Sequence, residues 1–360
     1  MPDFLWRRHE SAAQRLAMAP LTLLEGVYRL GVRLHRGAYE WGLRERVQLP
    51  ARVVSIGNLT VGGSGKTPLV AWLARQLHAQ GRKVAVLSRG VRGQRSGQVN
   101  VVSDGERVLL SPAHVGDEPV LLAGEAPGVP VLAGRNRAAL GFRAAALFGA
   151  ELLLLDDGFQ HYRVARDIDL LCIDATTQLG NGHVLPRGPL REAAAGLRRA
   201  HAIVWTRVPE RYESFAPDPQ VPLPSDVPQF AVRMEPRCLR PLGGGEPAAL
   251  ASLRGRRVGL LCAIARPDRL LAQLRELGAE VVLVKSFPDH HLYRRADLDA
   301  LDPTLPWLTT AKDAVKLPQS WLGRAPIEVF EEEVRPVPPG GLERWVVERL
   351  DATVSERSPP

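Results

Sequence analysis

Val53-Val54-Ser55-Ile56-Gly57-Asn58-Leu59-Thr60-Val61-Gly62-Gly63-Ser64-Gly65-Lys66-Thr67-Pro68-Leu69-Val70 is the stretch that decides the fold. Its first four residues form a short apolar run of the kind that makes a buried strand. A glycine-rich turn follows, and Pro68 then opens a helix carrying Leu69, Val70, Trp72, Leu73 and Leu77, which Gly81 stops. Strand, glycine turn and helix in this order are the setting of a phosphate-binding P-loop. Glycines let backbone N–H groups converge on phosphate oxygens, and the helix directs its positive end at them. Thr60, Val61, Gly62, Gly63, Ser64, Gly65, Lys66 and Thr67 are the predicted nucleotide-binding residues. Lys66 is expected at the β- and γ-phosphates and Thr67 on Mg²⁺. Thr60 stands where the general G-x-x-x-x-G-K-[ST] pattern has its first glycine.

Outward from this loop the chain alternates apolar runs with helical patterns. Lys83 to Leu87, Val129 to Leu132, Leu152 to Leu155 and Ile168 to Ile173 read as strands, and continuous Val/Leu runs suit a mostly parallel sheet covered on both faces. Four leucines lead into Asp156-Asp157-Gly158-Phe159-Gln160-His161. A carboxylate at the tip of such a strand suits Mg²⁺ beside a P-loop, so Asp156 and Asp157 join Thr67 as candidate metal ligands. Residues 217–228 are too proline-rich for a helix or central strand and mark a connection. Beyond them Phe230 to Met234 reads as a strand, Gly243-Gly244-Gly245 as a turn, and Val258 to Ile264, Pro267 to Leu277 and Val281 to Val284 as a further βα unit. The proline-rich 335–339 reads as a loop.

Residues 20 to 45 read as one amphipathic helix, with Pro20 in its first turn. Glu25, Arg29, Arg33, Arg36, Glu40 and Arg44 share one arc, and Leu23, Val27, Leu30, Leu34, Ala38 and Trp41 share another. The apolar stripe fits either the protein's own core or a membrane surface with arginines on anionic headgroups.

Composition bounds the rest. The chain has 360 residues, 45% hydrophobic and 24% charged, which excludes global disorder. Cys172, Cys238 and Cys262 are too few and scattered for a disulfide framework or zinc cage. Absence of a long apolar run and of a secretory start leads to the expectation of a cytoplasmic protein. The net charge of +8 comes almost wholly from arginine, since only five of the 47 basic residues are lysine: Lys66, Lys83, Lys285, Lys312 and Lys316. Such an excess suits phosphate, anionic lipid or nucleic acid.

Seven separate motifs carry a resemblance. They are Gly57 to Pro68, Ser88-Arg89-Gly90, Gly116-Asp117-Glu118-Pro119, Asp156 to His161, Leu185-Pro186-Arg187-Gly188-Pro189-Leu190-Arg191-Glu192, Phe287-Pro288-Asp289-His290-His291 and Lys312-Asp313-Ala314-Val315-Lys316. In this order they resemble the tetraacyldisaccharide 4'-kinase family, the lipid A 4'-kinases of Gram-negative bacteria, in which Thr60 of the P-loop is itself typical. The resemblance implies ATP- and Mg²⁺-dependent phosphorylation of the 4'-hydroxyl of a tetraacyldisaccharide 1-phosphate. It also implies docking on the cytoplasmic face of the inner membrane, peripheral and without a spanning helix. The implied fold is α/β: a P-loop NTPase-like, mostly parallel sheet domain (51–228), a second, smaller α/β domain with linker strands (229–350), an N-terminal amphipathic helix (1–50) and a frayed tail (351–360).

The family's Asp–His dyad maps onto Asp117 and His290, with His291 a competing neighbour; by its position alone Asp117 reads as a cap for a helix starting at Glu118. Arg191 and Glu192 match the family's Gly-Pro-Leu-Arg-Glu run and are candidate substrate or phosphate contacts. Arg187 departs from it, Val91 stands where the family has tyrosine, and Ala311 where it has glutamate. Lys312 and Lys316, four apart, suit either nucleotide or sheet-end contact or a solvated helix start.

A P-loop GTPase or metallochaperone is the alternative. The adjacent Lys312 and Asp313 fail the Asn/Thr-Lys-x-Asp spacing of guanine readers, and clustered Cys/His ligands for a carried metal are missing. A nucleic-acid partner is not expected, because no aromatic-interleaved basic stretch occurs.

Overall fold

The computed structural model describes residues 3–6, 14, 17–91, 93–212, 215–321 and 325–357. Residues 1–2, 7–13 and 15–16 of the segment assigned to the N-terminal helix and the last three residues of the tail lie outside the described residues.

Among the described residues twelve strands form one mixed sheet: β1 (Arg52–Asn58), β2 (Val84–Ser88), β3 (Asn100–Ser103), β4 (Val131–Ala133), β5 (Leu152–Asp156), β6 (Ile168–Asp174), β7 (Ala202–Thr206), β8 (Gln229–Pro241), β9 (Arg257–Cys262), β10 (Glu280–Ser286), β11 (Trp307–Thr310) and β12 (Ile327–Val337). Their order is β10-β9-β11-β12-β8-β7-β6-β1-β5-β2-β4-β3. Every pairing is parallel except β3 with β4 and β8 with β12. The long β8–β12 pair therefore joins two parallel runs of opposite direction.

The helices are α1 (Ala19–Glu40), α2 (Lys66–Ala79), α3 (Pro112–Val115), α4 (Asp117–Glu125), α5 (Arg137–Phe148), α6 (Pro267–Glu276), α7 (Arg295–Asp299), α8 (Ala311–Ala314) and α9 (Gly341–Arg357). Strands β1, β5 and β6 are buried along nearly their whole length because α2, α4 and α9 cover one face, while on the other α5 covers β1 and β5 and a cluster around Leu59, Phe159 and Leu197 covers β6. Separate clusters around Leu260 with Leu274 and around Trp307 with Leu298 fill the two faces of the β9–β11 run.

Three expectations change. The N-terminal helix ends at Glu40 rather than residue 45: Gly42 adopts φ +74 and the Trp41 ring folds back onto Gly37. Residues 335–337 are strand, not loop; β11 pairs β12 only through Phe330, so Pro336 lies where β12 has a single strand neighbour and its missing N–H can face the open side. The C-terminal tail is helical through Arg357, beyond the 351 at which fraying was expected, because α9 anchors Leu342, Val346 and Leu350 in the core.

The N-terminal helix is docked through Glu25, one edge of its polar arc, while Arg29 and Arg33 stay exposed. Glu25 is 4% exposed and accepts hydrogen bonds from the Val184 N–H at 3.0 Å and from His183 Nδ1 at 3.0 Å. Its apolar stripe does not pack on the core: Leu23 is 75% exposed, Val27 65%, Leu30 58%, Leu34 54% and Trp41 68%. Glu25→Ala leaves a buried N–H without its acceptor and is expected to destabilise the protein by about 1–3 kcal/mol. The check is the urea unfolding midpoint, and an unchanged midpoint would show that the helix is held elsewhere.

Candidate active site

The site gathers at the carboxyl ends of β1, β5 and β6, where ligands bind in open α/β sheets. The register sets Ile56 opposite Asp156, so the loop leaving β1 and the acidic end of β5 are neighbours. Gly57 admits Phe159: a Cβ there would lie 2.4 Å from the Phe159 Cβ. Gly65, with φ +74, caps α2, and a side chain there would press on Met234 of β8 at 3.0 Å.

Thr60 replaces a glycine without strain because the loop is paired there rather than sharply turned. It bridges Leu190, the Val61 N–H donates to Pro189 O at 2.7 Å, and the Arg191 N–H donates to Leu59 O at 2.6 Å. Its hydroxyl also accepts from Asn58 Nδ2 at 3.1 Å. Val61, Gly62 and Gly63 form the more open crest, and the Gly63 and Ser64 carbonyls accept from Arg207 and from the Thr206 hydroxyl.

Lys66 is buried at the first position of α2 and donates to Asn58 Oδ1 at 3.0 Å, with Asp157 3.4 Å away. Arg191 Nη1 contacts both oxygens of Asp157 at 2.8 Å. Burial alone would raise Asp157, but Lys66 and Arg191 outweigh it and hold the carboxyl far below the usual carboxylate range. Asp156 is the opposite case. Burial, aided by the Glu118 and Asp157 charges, pushes it up. Its Oδ2 accepts from the Ser88 hydroxyl at 3.2 Å, while its buried Oδ1 has no hydrogen-bond partner. Thr67 follows Lys66 on the first turn of α2 and is half-buried.

Glu192 is buried with both oxygens engaged by the protein: Gln160 donates to Oε1 at 2.9 Å and Arg199 to Oε2 at 2.6 Å. Gln160 also donates to Asn58 O at 2.9 Å, which ties the turn after Asp157 to the P-loop.

Asp117 is 5% exposed and belongs to the first turn of α4, not to its cap, which is Gly116. Both of its oxygens lie 2.9 Å from His290 Nδ1, and Oδ1 also accepts from the Glu118 N–H at 3.0 Å. Burial opposes its charge, but the His290 hydrogen bond and the Lys312 ammonium more than offset that and lower its pKa. His291 does not reach Asp117; it pairs with Asp297 at 3.0 Å and stacks on Phe287 with centroids 4.5 Å apart. Lys312 donates to Asp289 at 2.9 Å and lies 3.8 Å from Asp117. Lys316 instead makes a 2.7 Å ion pair with Asp313, both side chains wholly buried. Neither lysine lies at a solvated helix start.

Sequence reasoning passed over Asn58, Arg137 and Asp289. Arg137, buried at the start of α5, is lowered to about 10 by burial, against the pull of Asp156. In a chain with 47 basic residues, only five of them lysine, one more arginine carried no signal. Asn58 could have been found from its place eight residues before Lys66 at the end of the strand.

A lysine-tipped P-loop whose neighbouring turn is acidic, on the same molecule as a buried carboxylate–histidine pair, defines a P-loop phosphotransferase. Residues 17–351 match the family model described as LpxK: Tetraacyldisaccharide-1-P 4'-kinase, and the chain belongs to this family. It is 44% identical to the tetraacyldisaccharide 4'-kinase of Anaeromyxobacter dehalogenans (strain 2CP-C), across 87% of this chain and 84% of that one. With the enzyme of the same name from Syntrophus aciditrophicus (strain SB) it shares 40% identity over 96% of this chain and 97% of the other. The crystal structure of the "apo" form of LpxK from Aquifex aeolicus in complex with ATP is similar at a TM-score of 0.76 and 29% identity, covering 93% of this chain and 99% of that one.

Proposed function

We propose that the chain catalyses its family's reaction, transfer of the γ-phosphoryl group of ATP to the 4'-hydroxyl of a tetraacyldisaccharide 1-phosphate, with Asp117 as proton acceptor. The observation that carries this assignment of roles is the hydrogen bond of His290 Nδ1 to Asp117 at 2.9 Å, in a molecule whose P-loop ends on the buried Lys66. ATP as donor is supported by the Aquifex aeolicus relative, solved in complex with ATP.

The backbone N–H groups between Gly62 and Thr67 and the start of α2 receive the phosphates. Lys66 exchanges its contacts with Asn58 and Asp157 for the β- and γ-phosphate oxygens. Asp157, held by Arg191, stays charged behind the lysine and keeps it aimed. As the 4'-oxygen bonds to the γ-phosphorus, the bond from that phosphorus to the β,γ-bridging oxygen breaks. ADP departs with the electron pair, and the hydroxyl proton passes to Asp117. His290 orients the carboxylate through its Nδ1.

Mg²⁺ fits the donor set. Asp156, with a buried oxygen lacking a hydrogen-bond partner, and Thr67 would hold it, with Asp157 supporting from behind. When bound it supplies charge neutralisation of the transferring phosphates. Arg191 holds Asp157 through Nη1 alone and is partly exposed, so the rest of its guanidinium can serve a substrate phosphate without releasing Asp157, whereas Glu192 acts by fixing Gln160 and the P-loop. Mapping the product is the test: incubation of wild type with ATP, Mg²⁺ and tetraacyldisaccharide 1-phosphate is expected to give a 4'-phosphate by ³¹P NMR. No lipid product, or phosphate on another hydroxyl, would overturn the reading.

The acceptor carries four acyl chains and has to be met at a bilayer. No helix among the described residues is long and apolar enough to cross one. The exposed stripe of α1, with Arg29 and Arg33 also exposed, supports a peripheral position on the anionic, cytoplasmic face of the inner membrane. Val27→Glu with Leu34→Glu is expected to reduce co-sedimentation with anionic liposomes at least about tenfold. Unchanged sedimentation of the folded double variant would remove α1 from the membrane contact. The β9–β11 run, with its own core clusters, is assigned as the second, smaller α/β lobe, and β8 and β12 as its linker strands.

A further inference from the structure

Beyond the Asp117–His290 pair, we infer that Lys312 is a positioning residue for the transfer step: its ammonium, set between Asp117 and Asp289, fixes the proton-accepting carboxylate and the histidine loop in one geometry. The inference rests on the assignment of Asp117 as proton acceptor.

Three chain segments meet at this ammonium. Asp117 opens α4, which packs on the P-loop side of the molecule. Asp289 and His290 follow β10, and Lys312 lies on α8 after β11. Lys312 is 2.9 Å from Asp289 Oδ1 and 3.8 Å from Asp117 Oδ2. His290 Nε2 is 3.6 Å from Asp289, so its imidazole lies between two carboxylates and the lysine touches both. Two carboxylates this near one histidine repel each other, and a cation between them is what makes the arrangement compact.

The lysine is itself rigidly held. The Thr310 hydroxyl accepts from the Asp313 N–H at 3.1 Å and caps α8. Asp313 Oδ2 accepts from the Ala263 N–H at 3.1 Å, and its Oδ1 pairs with Lys316 at 2.7 Å. The carbonyl of that same Ala263 accepts from the His290 N–H at 3.4 Å. Lys312 and His290 therefore hang from one residue at the end of β9. His290 has φ +66, a conformation that needs such outside support in a non-glycine residue. A buried Lys316–Asp313 ion pair fixes geometry more than it adds stability. What it fixes here is where Lys312 meets Asp117.

A residue that orients the proton acceptor, without touching ATP or lipid, should change turnover and leave binding alone. Lys312→Met, similar in length and uncharged, is expected to lower kcat at least about tenfold, with KM for ATP and for the lipid within about twofold of wild type. Lys312→Arg should restore most of the loss by returning the charge. In an Asp117→Asn background Lys312→Met should cost less than about twofold more, because the group it orients is already gone. Lys312→Gln repeats the measurement if the methionine variant fails to fold. A wild-type kcat in Lys312→Met beside an impaired Asp117→Asn would overturn this inference and spare the dyad. The same holds for a rise in KM at constant kcat, or for full multiplicativity in the double variant. An Asp117→Asn enzyme as active as wild type would overturn the dyad and this inference together.

Discussion

Lys66→Ala is expected to lower kcat/KM for phosphoryl transfer by roughly 10²–10³, the loss typical when one preorganised donor to a developing charge is removed. The lysine is buried on the first turn of α2, and its contacts within the protein are an amide oxygen and a carboxylate that triphosphate oxygens replace. Arg191 keeps both of its contacts to Asp157 in the variant, so the acidic turn stays charged and the fold should persist. ATP affinity should fall along with turnover. Lys66→Arg should not rescue, since a planar fork does not fit a pocket shaped for a point charge between Asn58 and Asp157. Steady-state transfer to the lipid acceptor, with equilibrium ATP binding on the same preparation, makes the check. Undiminished transfer by folded Lys66→Ala would remove the P-loop from the reaction.

Asp117→Asn should lower turnover by about 10²–10⁴, the usual contribution of a positioned base. Asparagine keeps the shape and can still face His290, but it has no lone pair basic enough to take the 4'-hydroxyl proton. Because the folded-state pKa of Asp117 lies below that of an ordinary aspartate, the carboxylate is ionised throughout the neutral range. Its stabilising contribution is fully present above the unfolded value near about 3.9 and is lost as pH falls through the lower, folded value. At neutral pH the variant therefore forgoes a charged contact to His290 and Lys312, a loss that urea unfolding separates from the kinetic effect.

The P-loop was legible because one continuous segment carries strand, turn and helix, and the Leu152–Leu155 run announced its own burial. Strands β3, β7 and β11 went unread; β3 and β11 each carry only two consecutive apolar residues, too few to stand out from a loop. Pro336 disguised the end of β12, where only one strand neighbour remains. In α1 the two faces could be read from a helical wheel, but not which of them meets the protein. Glu25, a residue type almost never buried unless paired, makes the contact with the protein through two bonds to residues 158 and 159 positions away. Distance along the chain also hid how Lys312 is used. Asp117 and His290 are 173 residues apart, and the choice between His290 and His291 needed the fold to turn one toward Asp117 and the other toward Asp297.

The most direct test of the division of labour between the P-loop and the Asp117–His290 pair is made on Asp117→Asn alone. Its ATP dissociation constant and its single-turnover transfer rate at saturating ATP and lipid are measured together. The predicted result is an ATP affinity within about threefold of wild type, with transfer slowed at least about 10²-fold. A transfer rate equal to that of wild type, or a rate loss matched by an equal loss of ATP affinity, would contradict the assignment of Asp117 to the chemical step.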